Sequence, residues 1–188
     1  DTKDTSKDTK KDDKSTTTDK TPDTMPEKKE AFSGTIDEVL DLIVNKATEL
    51  DKSEYGIGGI KCYHSPVDTD VCDVILGLDD KEFAEYVEAA VESKPEGSWF
   101  THSVVVVKLK DGVDVKTVAE KIVSKTEAVR FGCLRPEAIV GAYTGNYVIF
   151  TTSDKAICEN VFEAVKALSG ADVTRVDRTK DWSDSGLA

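Results

Sequence analysis

The first folded element that the sequence predicts is an amphipathic helix of about 15 residues. It begins after Thr35, and Glu38 completes a capping box, in which the two residues bond each other's backbone amides. Apolar residues then recur at the helical spacing of three and four positions, so one face can pack against a core. These residues are Ile36, Val39, Leu40, Ile43, Ala47 and Leu50.

The clearest strand is the run THSVVVVKLK at 101–110. Its consecutive valines make both faces apolar, which predicts a central strand that is covered on each side. A second strand is predicted at 86–94, where YVEAAVESK alternates loosely before a proline. We also expect the short apolar run VCDVILG, at 71–77, to form a strand that ends at Gly77.

Two further strands, at 138–143 and 147–152, flank Thr144-Gly145-Asn146, a sequence that predicts a tight hairpin. A helix is predicted between the 101–110 strand and this hairpin, with one apolar face made by Val115, Val118, Ala119, Ile122 and Val123. Another helix follows the hairpin. It is capped by Ser153 or Asp154, ends near Gly170 and directs inward Ile157, Val161, Val165 and Leu168.

A faint internal repeat places VVVVKLKDGVDVKTVAEKI over YVIFTTSDKAICENVFEAV. In this register Asp111 falls on Asp154 and Val118 on Val161, and each copy is predicted as strand, acidic turn and helix. We therefore predict an α+β domain. It has an antiparallel sheet of four to five strands with helices packed against it, in pseudo-repeated β-β-α units.

The hydrophobic pattern divides the chain into three parts. Residues 1–31 are almost wholly polar and cannot bury enough apolar surface to offset the entropy of ordering, so we expect a disordered polar spacer. Residues 32–175 hold the predicted elements and are expected to form a single α+β domain. A flexible C-terminal tail is expected at 176–188.

Charge excludes some functions. The 188 residues carry a formal net charge of −12, which disfavours binding to nucleic acid or to an anionic membrane surface. No apolar run approaches the roughly 18–20 residues that a membrane-spanning helix needs. The opening DTKDTSKDTK lacks the hydrophobic stretch of a signal peptide, which leaves two interpretations open: a cytosolic protein, or a chain whose targeting segment has been removed.

The run from YVEAAVESKP through THSVVVVKLKDGVDVKTVAEKI to AIVGAYTGNYVIFTTSDKA resembles a family of Firmicutes surface lipoproteins that is catalogued as a domain of unknown function. The shared features are a His-Ser step into a Val-rich strand, a Lys-Asp-Gly turn, a helix, a hairpin and a final helix. The resemblance covers roughly residues 35–170, and the segment from Cys62 to Cys72 is not a general feature of the family.

The resemblance implies a location on the extracellular face of the cytoplasmic membrane, with a lipid anchor in the full-length precursor. It implies a monomeric, non-enzymatic module that binds a protein or an envelope component, with a membrane or cell-envelope protein as the partner. The alternative is an accessory factor or an enzyme in cell-envelope polysaccharide modification, such as O-acylation.

The segment KCYHSPVDTDVC invites three interpretations. Cys62, His64 and Cys72 could supply metal ligands together with Asp68 or Asp70, although the short cysteine knuckle of zinc sites is missing. A redox pair would normally be Cys-x-x-Cys, which does not occur. At an extracellular address we expect a Cys62–Cys72 disulfide, and we weigh a Cys133–Cys158 disulfide against a buried free Cys158.

Catalytic signatures are missing from the sequence. His102 and Ser103 are adjacent on a strand, so their side chains should point to opposite faces and cannot act as a pair. Neither Gly-x-Ser-x-Gly nor His-Glu-x-x-His occurs, nor does a phosphate-binding loop, and we expect no cofactor. Trp99, Phe100 and His102 are the candidates for a recognition patch. The alternative is that the two aromatic residues close the end of the core and that His102 hydrogen-bonds the backbone where the strand begins.

Overall fold

Four consecutive valines lie at the centre of an antiparallel sheet. The computed structural model describes residues 30–52, 57–97, 100–128, 130–131 and 134–178. Within these residues the sheet has six strands, in the order β1-β2-β3-β5-β4-β6, with every neighbouring pair antiparallel. The strands are β1 Cys62–Pro66, β2 Val87–Pro95, β3 Ser103–Leu109, β4 Ala138–Thr144, β5 Tyr147–Ser153 and β6 Thr174–Asp177.

Helices cover both faces of this sheet. They are α1 Ile36–Leu50, α2 Cys72–Leu76, α3 Asp80–Tyr86, α4 Val115–Lys125 and α5 Lys155–Leu168, and a 3₁₀ turn lies at Ile57–Gly59. On one face, α1 and α5 pack against Val104 and Val106. On the other, α2 and α4 pack against Val105 and Val107. The valines therefore alternate between two hydrophobic cores, and the prediction of a central strand with apolar contacts on both faces is confirmed.

Several local predictions are also confirmed. Helix α1 begins at Thr35 with the capping box, since Thr35 N donates to Glu38 Oε2 at 2.7 Å and Glu38 N to Thr35 Oγ1 at 3.3 Å. The predicted hairpin joins β4 to β5, with Thr144 opposite Tyr147. The α+β class, with antiparallel strands and packed helices, is as predicted.

The region 71–77 is a correction, because it forms helix α2 rather than a strand. The buried residues Cys72, Ile75 and Leu76 recur at helical spacing, and Gly77 ends the helix in the left-handed conformation. The sheet also exceeds the predicted four to five strands, since the sequence pattern does not predict β1 or β6. Both lie at its edges.

The two β-β-α units of the predicted repeat are present as β2-β3-α4 and β4-β5-α5. Their second strands, β3 and β5, pair directly with each other, and their first strands lie to the outside of this pair. Their helices lie on opposite faces of the sheet, because α4 belongs to one core and α5 to the other.

The described fold reaches slightly beyond the predicted domain limits of 32–175. Ala31 is buried in the core beside α1, and β6 continues to Asp177. The predicted spacer up to residue 29 and the tail from residue 179 lie outside the described residues. No helix in the described part of the chain is both long and apolar enough to cross a membrane.

Candidate ligand-binding cleft

Cys62 and Cys72 are free thiols on different elements, so the predicted disulfide between them is not formed. Cys62 begins β1, opposite Pro95, whereas Cys72 begins α2, is buried and donates from Sγ to Leu78 O at 3.3 Å. The extended strand from Cys62 to Pro66 moves the chain by about 13 Å before the loop to α2 starts. The sequence spacing of the two cysteines suggests a short loop, but about half of the segment between them is the extended strand β1.

The weak metal candidates Cys62, His64 and Cys72 do not form a ligand set. His64 lies between two carboxylates of α1, with Nδ1 3.5 Å from Asp37 Oδ1 and Nε2 3.4 Å from Asp41 Oδ1. Its two nitrogens face different partners, so they do not converge on one point. Among the described residues no group of three His, Cys, Asp or Glu side chains is arranged to hold a metal ion.

Cys158 is buried at the start of α5, where its Sγ lies 3.6 Å from the carbonyl oxygens of both Ala138 and Thr151. Burial raises the pKa of this thiol to about 12, so it remains protonated at neutral pH. Cys133, its partner in the second disulfide that the sequence allows, lies outside the described residues.

The residues assigned to a recognition patch are separated by the structure. Phe100 is 48% exposed, whereas His102 is only 1% exposed and faces the interior. His102 Nδ1 lies 3.2 Å from Ser153 Oγ, on the face of the sheet that carries α1 and α5. Trp99 lies outside the described residues.

Burial lowers the pKa of His102 from 6.5 to about 4. The imidazole is therefore neutral in the folded protein at pH values where the unfolded chain already binds a proton. Lowering the pH from 6.5 to about 5 should reduce the free energy of unfolding by about 1.5 kcal/mol through this group. This effect can be measured by urea unfolding of the wild type and His102→Gln at several pH values in this range. It is the difference between the two proteins in how steeply the free energy of unfolding changes with pH.

The comparison between the wild type and His102→Gln also controls for the other ionisable groups. The substitution changes no other ionisable side chain, so the contributions of all other groups cancel in the difference. Equal pH dependence in the two proteins would contradict a neutral, buried His102.

Ser103 points to the opposite face from His102, as predicted for adjacent strand residues. Its Oγ donates to Glu92 Oε1 at 2.6 Å and accepts from Arg130 Nη2 at 2.9 Å. Arg130 Nη1 also contacts Glu92 Oε1, and Lys94 Nζ lies 3.7 Å from Glu92 Oε2. We name Glu92, Ser103 and Arg130 the buried polar network. Its serine is inaccessible and its carboxylate is neutralised by an arginine, so the network is structural.

A polar cleft opens at the other end of the sheet, where β2 begins and β3 ends. Its volume is about 310 Å³, and it lies between the segment that precedes α1 and the β4–β5 hairpin. It is lined by Glu30, Phe32, Ser33, Gly34, Glu88, Lys108, Asp111, Asn146 and Tyr147. These residues come from separate stretches of chain, and the sheet register brings Glu88, Lys108 and Tyr147 together.

Two aromatic rings support one wall of this cleft. Phe32 and Tyr147 pack edge to face, with ring centroids 5.3 Å apart and planes at 83°. Both residues are buried, and Tyr147 is 4% exposed. Asn146 Nδ2 donates to Leu109 O at 3.2 Å, which holds the amide in place beside Tyr147. Packing and this hydrogen bond thus fix Phe32, Tyr147 and Asn146 in one wall of the cleft.

Negative charge exceeds positive charge in the cleft, because three carboxylates and one ammonium group line it. Lys108 Nζ donates to Glu88 Oε1 at 2.8 Å, and this bond raises the pKa of Lys108. Burial raises the pKa of Tyr147, an effect that Lys108 opposes and that Glu88 and Glu30 reinforce. Tyr147 therefore keeps its proton at neutral pH, close to those three charged groups.

Little in the sequence indicates this cleft. The pattern favours turns at Asp111 and Asn146, and it makes Tyr147 one position of a core strand. One signal could have been used: a Lys and a Glu at the facing ends of two predicted antiparallel strands favour an ion pair there.

Comparisons with protein-family models, with curated proteins and with solved structures found no match for this chain. The functional interpretation therefore depends on the sequence resemblance and on the geometry of the cleft.

Proposed function

We propose that this chain is a non-enzymatic binding module of a cell-surface lipoprotein. A lipid anchor on the full-length precursor would hold it, as a monomer, at the extracellular face of the cytoplasmic membrane, where it contacts a membrane or cell-envelope component. The observation that carries the binding role is the polar cleft: a concave, preformed site on rigid elements is typical of ligand recognition.

The protonation states of the cleft favour binding over catalysis. A general acid or base works best when its pKa lies near the working pH. The pKa values of Lys108 and Tyr147 are both displaced upward, away from neutrality. Both groups therefore remain protonated and serve as stable hydrogen-bond donors, while the carboxylates serve as acceptors.

The proposal is tested by retention on a total envelope fraction, membrane plus wall, from a Gram-positive bacterium. The full chain should co-sediment with this material. Asp111→Asn and Tyr147→Phe should each lower the retained amount by about fivefold, which corresponds to the loss of one hydrogen bond. Glu120→Gln is the matched control, because it removes one negative charge on α4, on the other face of the sheet.

Retention of both cleft variants at the wild-type level would contradict a role for the cleft. Absence of wild-type retention would contradict the envelope-binding function itself.

A further inference from the structure

We propose that residues 30–34, which we name the strap, form a hinged wall of the cleft. The strap detaches while the rest of the domain stays folded, and the cleft is complete only while the strap is docked. Detachment is a property of the fold, whereas its control of recognition rests on the proposed function.

The strap is docked in a seat that two glycines provide. A Cβ at Gly170 would lie 2.7 Å from Glu30 O, and a Cβ at Gly145 would lie 3.0 Å from Ala31 Cβ. A side chain at Gly170 would therefore push the strap outward, because the neighbouring atom belongs to the backbone of the strap. The seat fits a chain that passes close to the backbone of both glycines.

The seat is held together without the strap. Gly145 lies in the turn between β4 and β5, and Gly170 follows the end of α5. Thr144 Oγ1 and Ser169 Oγ are 2.7 Å apart, and this hydrogen bond joins the hairpin to the end of the helix. The two glycines therefore keep their positions when the strap leaves.

Few interactions hold the strap in this seat. It belongs to no helix or strand, and among the described residues one backbone–backbone hydrogen bond joins it to the rest of the fold, from Gly170 N to Ala31 O at 2.9 Å. Ala31 and Phe32 are buried, and the Phe32 ring packs on Tyr147. Segments with few attachments open at a lower free energy than the core strands, so the strap should open before the sheet does.

Gly34 is the hinge of the strap. Its φ is 100°, in a region that glycine adopts without strain, and Thr35 follows it directly as the N-cap of α1. Helix α1 is fixed by its own fully buried residues, among them Leu40 and Ile43. The chain before Gly34 can therefore rotate while the helix stays in place.

Detachment would remove one wall of the cleft. The strap supplies Glu30, Phe32, Ser33 and Gly34 to the lining, whereas the facing residues come from the sheet and its turns. Tyr147, which is 4% exposed, would lose the Phe32 ring that packs on it. A ligand that contacts both walls would in turn hold the strap in its seat, because binding and docking are linked.

Hydrogen exchange of the full chain, followed by NMR at low urea concentrations, tests detachment without any variant. The amide of Gly170 reports on the strap, because Ala31 O is its acceptor, and the amide of Val107 in the central strand β3 reports on global unfolding. Gly170 should have a protection factor at least about tenfold lower than that of Val107, with little dependence on urea. Ser169, whose amide bonds Val165 O, controls for fraying of α5 and should be protected more strongly than Gly170.

Equal protection and equal urea dependence of Gly170 and Val107 would overturn the proposal, because the strap would then leave only when the domain unfolds. Equal protection of Gly170 and Ser169 would assign the opening to the end of α5 and would also overturn it.

Gly170→Ala tests the strap as a wall of the cleft, because it displaces the strap and keeps both aromatic rings. Nitration by tetranitromethane, located by mass spectrometry, should be at least about fivefold faster at Tyr147 than in the wild type. It should be unchanged at Tyr63, which is already 44% exposed. Gly59→Ala is the matched control, because a Cβ there would meet no other atom within 4 Å. The circular dichroism spectra of both variants should match that of the wild type.

Wild-type reactivity of Tyr147 in Gly170→Ala would overturn the strap as a wall of the cleft. In the envelope assay Gly170→Ala should be retained about fivefold less than the wild type, and Gly59→Ala equally well. Full retention of Gly170→Ala together with faster nitration of Tyr147 would overturn the control of recognition. Absence of wild-type retention would refute the proposed function and leave detachment of the strap standing.

Discussion

Replacing Arg130 by methionine should lower the free energy of unfolding by about 3–5 kcal/mol. The substitution leaves the carboxylate of Glu92, which is fully buried, without the guanidinium that neutralises it. Lys94 Nζ is 3.7 Å from Glu92 Oε2 and compensates the charge only in part. Ser103 Oγ also loses the hydrogen bond that it accepts from Arg130 Nη2 at 2.9 Å. Urea unfolding at neutral pH, followed by circular dichroism, measures the change.

The double variant Glu92→Gln/Arg130→Met distinguishes the cost of an unpaired buried charge from the cost of lost packing around Arg130. Because it contains no buried unpaired carboxylate, it should recover more than about 2 kcal/mol of the loss. Lys166→Met is the surface control: it breaks the Lys166–Glu163 pair, whose side chains are 48% and 54% exposed, and should cost less than about 1 kcal/mol. If Arg130→Met costs no more than this control, or if the double variant recovers nothing, the buried polar network is not a compensated ion pair.

The elements that the sequence predicts well have long, regular patterns. The apolar face of α1 repeats along the whole helix, and the valines of β3 leave no alternative to a central strand. The run at 71–77 is too short for periodicity to distinguish a strand from a buried helix. β1 and β6 carry few apolar residues, and both are edge strands that need only one hydrophobic face.

Both polar sites depend on contacts between residues that are distant in sequence, which explains why the sequence does not reveal them. Glu92 lies in a loosely alternating strand, where a glutamate is normally solvent-exposed, and Arg130 comes from the loop after α4. Only the packing of that loop over the sheet makes Glu92 a buried partner. The cleft forms in the same way, when the segment before α1 reaches the far ends of β2 and β3.

The buried polar network and the cleft lie at opposite ends of the sheet and differ in how accessible their polar groups are. At one end, Ser103 is hydrogen-bonded to Glu92 and Arg130. Other buried polar atoms there, among them Glu92 Oε2 and His102 Nε2, have no hydrogen-bond partner among the described residues. At the other end, Tyr147 and the carboxylates of Glu30, Glu88 and Asp111 line an open cleft. The polar groups of the cleft can be reached from solvent, so the cleft is the end of the sheet where recognition of a ligand is favoured.

Replacing Gly77 by alanine should lower the free energy of unfolding by about 3 kcal/mol. Gly77 ends α2 with φ of 62°, a left-handed conformation that costs an L-residue about 1 kcal/mol or more. A Cβ at this position would also lie 2.8 Å from the backbone carbonyl carbon of Lys125, at the end of α4. The backbone of Lys125 cannot move aside as a flexible side chain could. The two helices are also held together by a hydrogen bond from Glu127 N to Val74 O at 2.9 Å.

Gly112→Ala is the matched control, because Gly112 has φ of 84° and a Cβ added there would meet no other atom within 4 Å. It should therefore show the conformational cost alone, about 1 kcal/mol, and the difference between the two variants measures the steric cost against α4. Chemical denaturation of both variants under one set of conditions gives that difference. Equal destabilisation would mean that α2 does not pack against the end of α4, and the hydrophobic core on that face of the sheet would have to be arranged differently.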